Sequence, residues 1–213
     1  MMDGSVDVAR TIWKDPLVSR IESPSSTLVN VLGSIIATTE LPALGPTVRP
    51  NVKSPAQLQR ELDLIFSQRG VSQPSQPLQD LLRAAALLWH DHLDEAHTIV
   101  QDKHSAEAAF IHGIMHRREP DYSNARYWFQ RVGRHVTFPK IAARVGEFFA
   151  EPSINSSVSF VTGEMWQPMS FIDACEAAAQ RPHNNAGIVR LQHVQRIEFD
   201  TLLEYLCTAA SAR

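Results

Sequence analysis

Apolar residues recur along most of the chain at the three- and four-residue spacing of helices, with polar caps and prolines marking where each run begins. Ser54-Pro55-Ala56-Gln57 has the form of a capping box with proline in the first turn. There the serine oxygen can accept from a free amide, and the proline gives up no hydrogen bond. Leu58, Leu62, Ile65 and Phe66 follow as one stripe. Pro77 opens a second helix whose inner face carries Leu78, Leu81, Leu82, Ala85, Leu88 and Trp89. Ser105 is placed to cap a helix over 106–117, and Pro120-Asp121 to stop it and cap the next, over 122–132. Further helices are predicted over 139–150, over 174–180 behind a cap at 170–173, and from Asn185 onward. In that last one Ile188, Leu191, Val194, Ile197, Leu202, Tyr205 and Leu206 share a face.

The stretch 151–168 departs from this pattern. Val158, Phe160 and the flanking serines alternate briefly like a strand, with no second signal strong enough to pair with it. It reads as a long loop or short hairpin laid on the helices. Seven or eight helices joined mostly by short turns predict an all-α fold. The proline-rich segments 41–50 and 70–77 read as linkers, dividing the chain into an N-terminal helical arm with its linker (1–50) and an all-helical body (51–213).

Composition narrows the class. With 213 residues, 44% of them hydrophobic, the chain can bury a sizeable core and is not disordered. A net charge of -3 argues against a nucleic-acid binder. The longest apolar run, 28–37, is interrupted by Asn30, Gly33 and Ser34 and falls well short of the ~20 residues of a membrane span. No basic segment followed by an apolar run opens the chain, as a secretory signal would. The two cysteines, Cys175 and Cys207, lie within helical patterns and are expected as buried thiols. The expectation is a cytoplasmic protein without membrane or nucleic-acid partners.

Residues 106–132 (AEAAFIHGIMHRREPDYSNARYWFQRV) place small or apolar residues at Ala109, Gly113 and Ala125, and aromatics at Phe110, Tyr122, Trp128 and Phe129. With the Pro-Asp-Tyr turn between the two helices, this resembles a tetratricopeptide repeat, in which small residues let paired helices approach and aromatics fill the groove to the next hairpin. Ala84, Trp89, Asp94-Glu95-Ala96 and Val100 follow a similar order, and Gly146 lies 33 residues after Gly113, hinting at a degenerate third unit. The resemblance covers about 80–150 and implies helical hairpins over 78–150. The stretch from Trp89 to Phe129 also resembles an uncharacterised family of bacterial and fungal hypothetical proteins, which implies the fold and carries no activity.

Seven of the nine histidines fall between positions 90 and 135: His90, His92, His97, His104, His112, His116 and His135. His112 and His116 are one helical turn apart, so both imidazoles leave the same face, as metal chelation requires. If the preceding helix breaks at 90–92, His97 and Gln101 stay together and His90 sits at the turn. If it runs through, His90, Asp94, His97 and Gln101 share an arc. In either case antiparallel helices can bring His97 near His112 and His116, and Glu107, Glu119 or Asp121 can add a carboxylate. The opposing reading is a polar network of His, Asp, Arg and Asn that specifies how the hairpins dock.

Two enzyme motifs fail on inspection. His90-Asp91-His92-Leu93-Asp94 superficially matches the HxHxD run of metallo-β-lactamase-like hydrolases, but Glu95 stands where that family has histidine, and no sheet is evident. His90-Asp91 resembles the paired His-Asp of all-α metal phosphohydrolases, which need an earlier histidine than this chain has. There is no phosphate-binding glycine loop, zinc-type cysteine pair or nucleophile elbow. Arg117 and Arg118 are expected to bridge helices through Glu119 and Asp121, or to hold an anionic ligand. Tyr127 is the aromatic expected to meet solvent.

The leading expectation is therefore a non-enzymatic helical-repeat module that docks an unknown protein or peptide on the 78–132 surface. His90, Gln101, Arg117, Arg118, Asn124 and Tyr127 are its candidate contacts. The alternative is a metal-binding protein or metal-dependent hydrolase. In it His97, His112 and His116, with Glu119 or Asp121, hold a divalent transition metal that activates water.

Overall fold

The computed structural model describes residues 24–68, 73–150, 160–180 and 186–211. Among these the chain is all-α, with nine helices and one two-stranded hairpin. The helices are α1 (Pro24–Ile36), α2 (Pro55–Ser67), α3 (Gln76–Trp89), α4 (Leu93–Val100), α5 (Ala106–Arg118), α6 (Tyr122–Val132), α7 (Phe138–Ala150), α8 (Pro168–Ala179) and α9 (Ala186–Ser211). Strands β1 (Val161–Thr162) and β2 (Met165–Trp166) precede α8. None of the described helices is long and apolar enough to cross a membrane.

Local chemistry sets most boundaries. At α2 the capping box forms in full: Ser54 Oγ accepts the Gln57 amide at 3.3 Å while Gln57 Oε1 accepts the Ser54 amide at 2.8 Å. Leu58, Leu62, Ile65 and Phe66 are the buried stripe. Ser105 caps α5 by accepting the Ala108 amide, and Asp121 caps α6 by accepting that of Asn124. The helix before position 90 does break. His90 and Asp91 form a turn in which Asp91 takes φ 67, a left-handed conformation that aspartate tolerates better than most residues.

Two boundaries differ from the sequence reading. Helix α8 begins at Pro168 rather than behind a cap at Ser170, because the fixed φ of proline suits a first helical residue. A second strand does pair in the 160–168 stretch, with Val161 opposite Trp166 and Thr162 opposite Met165. Gly163, at φ 60, supplies the tight turn. Asn185, expected as the cap of the last helix, and Val158 both lie outside the described residues.

Helices α3 and α4 form one hairpin and α5 and α6 another, packed against each other, while the 26-residue α9 runs across α1, α3, α7 and α8. The segment expected as a linker, 41–50, is a strap lying on the body. Gln192 and Gln195 donate to the Pro42 carbonyl, Arg118 and Gln195 to that of Ala43, and Arg49 enters the core beside Trp89. Helix α5 is at the centre, and every residue from Ala108 to Arg118 is buried. A helix enclosed on all sides has no solvated face for its polar residues, so its two arginines and two histidines must find partners inside the protein.

Gly113 sets the closest approach of the second hairpin. A Cβ there would stand 2.5 Å from Cδ2 of Phe129, a buried ring held edge-on against Phe110. Overpacking of this kind costs ~1–3 kcal/mol, against a gain of ~1 kcal/mol in helix propensity. Gly113→Ala is thus expected to lower the melting temperature, and an unchanged melt would show that α5 and α6 part freely there. Gly146, 33 residues on, is exposed with nothing within 4 Å of its added Cβ, so it makes no such contact.

Candidate metal centre

Helix α5 presents His112 and His116 one turn apart, and α4, antiparallel to it in the neighbouring hairpin, presents His97. Each of the three imidazoles can offer a nitrogen within 4.8 Å of the others. Ring centroids are 5.2 Å apart for His97–His112, 5.7 Å for His97–His116 and 5.8 Å for His112–His116. His112 and His116 lie parallel, and His97 meets both edge-on. His112 and His116 are buried and His97 is half-buried, so the cluster closes inward and opens towards solvent on the α4 side.

The surroundings of the three rings differ. His116 Nδ1 lies 2.8 Å from Glu119 Oε2, an i, i+3 pair at the end of α5, so the proton sits on Nδ1 and Nε2 carries the lone pair. The Asn124 amide nitrogen, from α6, lies over the His116 ring, 3.2 Å from Nε2 and 3.4 Å from Nδ1. His112 is 0% exposed and stacks on Trp128 with centroids 3.9 Å apart and planes within 4°. The stack fills a face of the imidazole; the nitrogens lie on its edge. Among the described residues neither nitrogen meets hydrogen-bond geometry with any group, although the Ala108 carbonyl one turn back is near enough to favour the protonated form slightly. Among the described buried histidines it is the only one with both ring nitrogens unbonded.

Burial, then the neighbouring His97 and His116, push the His112 pKa down to about 4. Burial also lowers His90 and His135. An unfolded imidazole takes up its proton near pH ~6.5, so below that value the unfolded chain binds more protons than the folded one. Stability should be complete above pH ~6.5 and fall as the pH drops towards 4, by on the order of 3 kcal/mol for His112 alone. Thermal melts between pH 7 and 4 would measure this, and a flat profile over that range would contradict it.

The remaining candidates separate into distinct roles. His90 is a structural pin: its Nε2–H donates to the Ile35 carbonyl at 2.8 Å and its Nδ1 accepts the Lys53 amide at 3.1 Å. His92 Nε2–H donates to the Lys53 carbonyl, and His104 is exposed. Gln101 is exposed at the C-terminal end of α4. Asp121 is occupied as the cap of α6, accepting also from Ser123 Oγ, so of the nearby carboxylates only Glu119 touches the histidines. Glu107 lies elsewhere, accepting from the Tyr205 hydroxyl near His135.

Arg117 and Arg118 do not bridge to Glu119 and Asp121, nor do they face solvent. Both are fully buried, because α5 is enclosed, and their partners come from distant elements. Arg117 donates to Glu198 of α9 at 2.6 Å, and Arg118 to Asp91 at 2.6 Å and to the Leu88 and Ala43 carbonyls. Tyr127 does meet solvent, at 50% exposure, with the Arg131 guanidinium over its ring. Both cysteines are buried, and burial pushes each thiol up to about 12.

The sequence reading missed Glu198, Arg49 and the stack of Trp128 on His112. Glu198 stands four residues after Val194 and four before Leu202, an acid on the buried stripe of α9, and that position was a readable signal. Arg49 sits in a proline-rich segment that carries none. Compared with known protein families, with curated proteins and with solved structures, the chain finds no match in any of the three.

Proposed function

We propose that this is a metal-binding protein that holds one divalent transition metal between α4 and α5, with His97, His112 and His116 as ligands. His112 carries the reading: a buried imidazole with its face against Trp128, its nitrogens unbonded, and two further imidazoles beside it. Leaving buried polar groups unsatisfied costs ~1–3 kcal/mol, and a bound cation removes that cost. Three neutral nitrogen donors suit zinc, cobalt, nickel or copper rather than magnesium or calcium, which prefer oxygen cages.

The geometry supports ligation after a small closure. Metal–nitrogen bonds of ~2.0–2.1 Å in a tetrahedral site put ligand nitrogens roughly 3.4 Å apart, and here they lie within 4.8 Å. His112 and His116 share one helix and form the fixed half of the site. The half-buried His97, on the eight-residue α4, is the part able to move inward. Glu119, holding Nδ1 of His116, presets Nε2 as that residue's donor, as carboxylate partners of metal-binding histidines do.

A protein- or peptide-docking role for the same hairpins is supported by the half-exposed Tyr127 beside Arg131, but it gives no account of an unbonded buried imidazole. Zinc titrated calorimetrically into chelator-treated protein should bind at about one ion per chain. Its affinity should fall by about a hundredfold or more in His112→Ala. His97→Ala should show the same loss, and because it removes a half-buried ring it guards against a folding defect in the first variant. Zinc uptake that is absent, or equal in all three proteins, rejects the proposal.

A further inference from the structure

We infer that Trp128 and Asn124 of α6 are positioning residues for this metal, holding the ring planes of His112 and His116 ready to bind it. The inference rests on the three-histidine reading above and concerns what prepares that site before the ion arrives.

A histidine side chain turns about two bonds, and ligation needs its lone pair aimed at the ion. A ring that is free to turn must be ordered as the ion binds, which weakens affinity, whereas a ring already held avoids that loss. Two kinds of contact can hold an imidazole. A flat group on its face fixes the plane, and a hydrogen bond at its edge fixes the direction in which the other nitrogen points.

Helix α6 supplies the face contacts in register. Asn124 and Trp128 are one turn apart on α6, as His112 and His116 are on α5. The Trp128 ring lies on that of His112, with centroids 3.9 Å apart and planes within 4°. The Asn124 amide nitrogen stands 3.2 Å from Nε2 and 3.4 Å from Nδ1 of His116, and nearly equal distances to both nitrogens put it above the ring rather than at its edge. The two imidazole planes agree within 8°. The restraints are nevertheless unequal. His116 is also held at its edge by Glu119, 2.8 Å from Nδ1. Among the described residues neither nitrogen of His112 has a hydrogen bond, so the face contact with Trp128 sets its plane without help from the edge. The indole is itself braced, edge-on to Tyr127 at 5.3 Å and with the Arg131 guanidinium 5.6 Å from its centroid. The core face of α6 is Ala125, Phe129 and Val132, so Trp128 and Asn124 can be changed without emptying it.

Zinc affinity, measured by calorimetry on the chelator-treated full chain, tests these roles. Trp128→Leu should bind zinc about fivefold more weakly, and Trp128→Phe, which keeps a flat ring on His112, should recover most of that loss. Asn124→Ala should lose less, about twofold, because Glu119 still holds His116. A residue that only stabilised the fold would change the melting temperature of the metal-free chain and leave zinc affinity alone wherever the variant is folded. Cobalt(II) gives a spectroscopic reading of the same contact. Bound to the ring beneath the indole, it should quench tryptophan fluorescence at one ion per chain, and Trp128→Phe should still bind cobalt but lose most of the quench. Zinc affinity in Trp128→Leu equal to the parent's, or a Trp128→Phe no better than Trp128→Leu, would overturn the inference and leave the three-histidine reading in place. Unchanged affinity in Asn124→Ala would overturn the part assigned to that residue. A parent chain that binds no zinc would remove the underlying reading as well.

Discussion

Asp91→Asn is expected to lower stability by about 3–5 kcal/mol, a fall of roughly 10 °C in melting temperature for a domain of this size. The Asp91 carboxylate is fully buried between two arginines. Oδ2 accepts from the backbone amide and Nε of Arg49 at 2.9 and 2.8 Å, and Oδ1 from Arg118 Nη2 at 2.6 Å. Burial alone would raise its pKa, but the Arg49 hydrogen bonds and the Arg118 charge more than offset this and hold it below the ordinary range. Asparagine keeps the shape and tolerates the left-handed backbone at φ 67, so the substitution removes charge and little else. Two buried guanidiniums are then left with no anion between them. Adding Arg49→Gln removes one of those cations, so the double variant should lose less than the sum of the two single ones. A loss under about 1 kcal/mol in Asp91→Asn would show the site to be far more solvated than its burial implies.

Glu198→Gln should cost about 3 kcal/mol or more for a related reason. Glu198 and Arg117 are both wholly buried, joined at 2.6 Å, and Glu198 also accepts from Trp166 Nε1 of the hairpin at 3.3 Å. The Arg117 guanidinium lies 4.4 Å from the centroid of Phe171, and among the described residues its Nε and Nη1 have no partner, so Glu198 is the anion its charge depends on there. Losing the carboxylate therefore strands a cation at the junction of α5, α9 and β2. Replacing both members with apolar residues of similar volume, Arg117→Met with Glu198→Leu, should recover most of the loss, because it removes the desolvated charge altogether. Were the double variant as unstable as Glu198→Gln, the interaction would be contributing more than the burial of its charges costs.

The parts of the fold that were legible are those decided within a few residues. The Ser54–Gln57 box, the Ser105 and Asp121 caps and the stripe of α2 depend on neighbours in the chain, and they form as the pattern predicts. Convergence of His97 on His112 and His116 was legible too, because antiparallel hairpins and a one-turn spacing suffice to bring those rings together. The arginine partners were not. Sequence neighbours suggested Glu119 and Asp121, whereas burial of α5 on all sides sends Arg117 to a residue 81 positions away and Arg118 to one 27 away. An enclosed helix carries no amphipathic stripe to announce itself, and its polar residues look like a solvated face. Trp128 was read as filling the groove to the next hairpin. It is only partly buried, and its ring covers the imidazole at the centre of the site.

Crystals of the zinc-loaded chain, measured at the zinc absorption edge, give the most direct test of that site. One anomalous peak is expected between α4 and α5, at ~2.1 Å from a nitrogen of each of His97, His112 and His116. A peak bonded to other residues, or none at these three rings while zinc is bound in solution, would contradict the account.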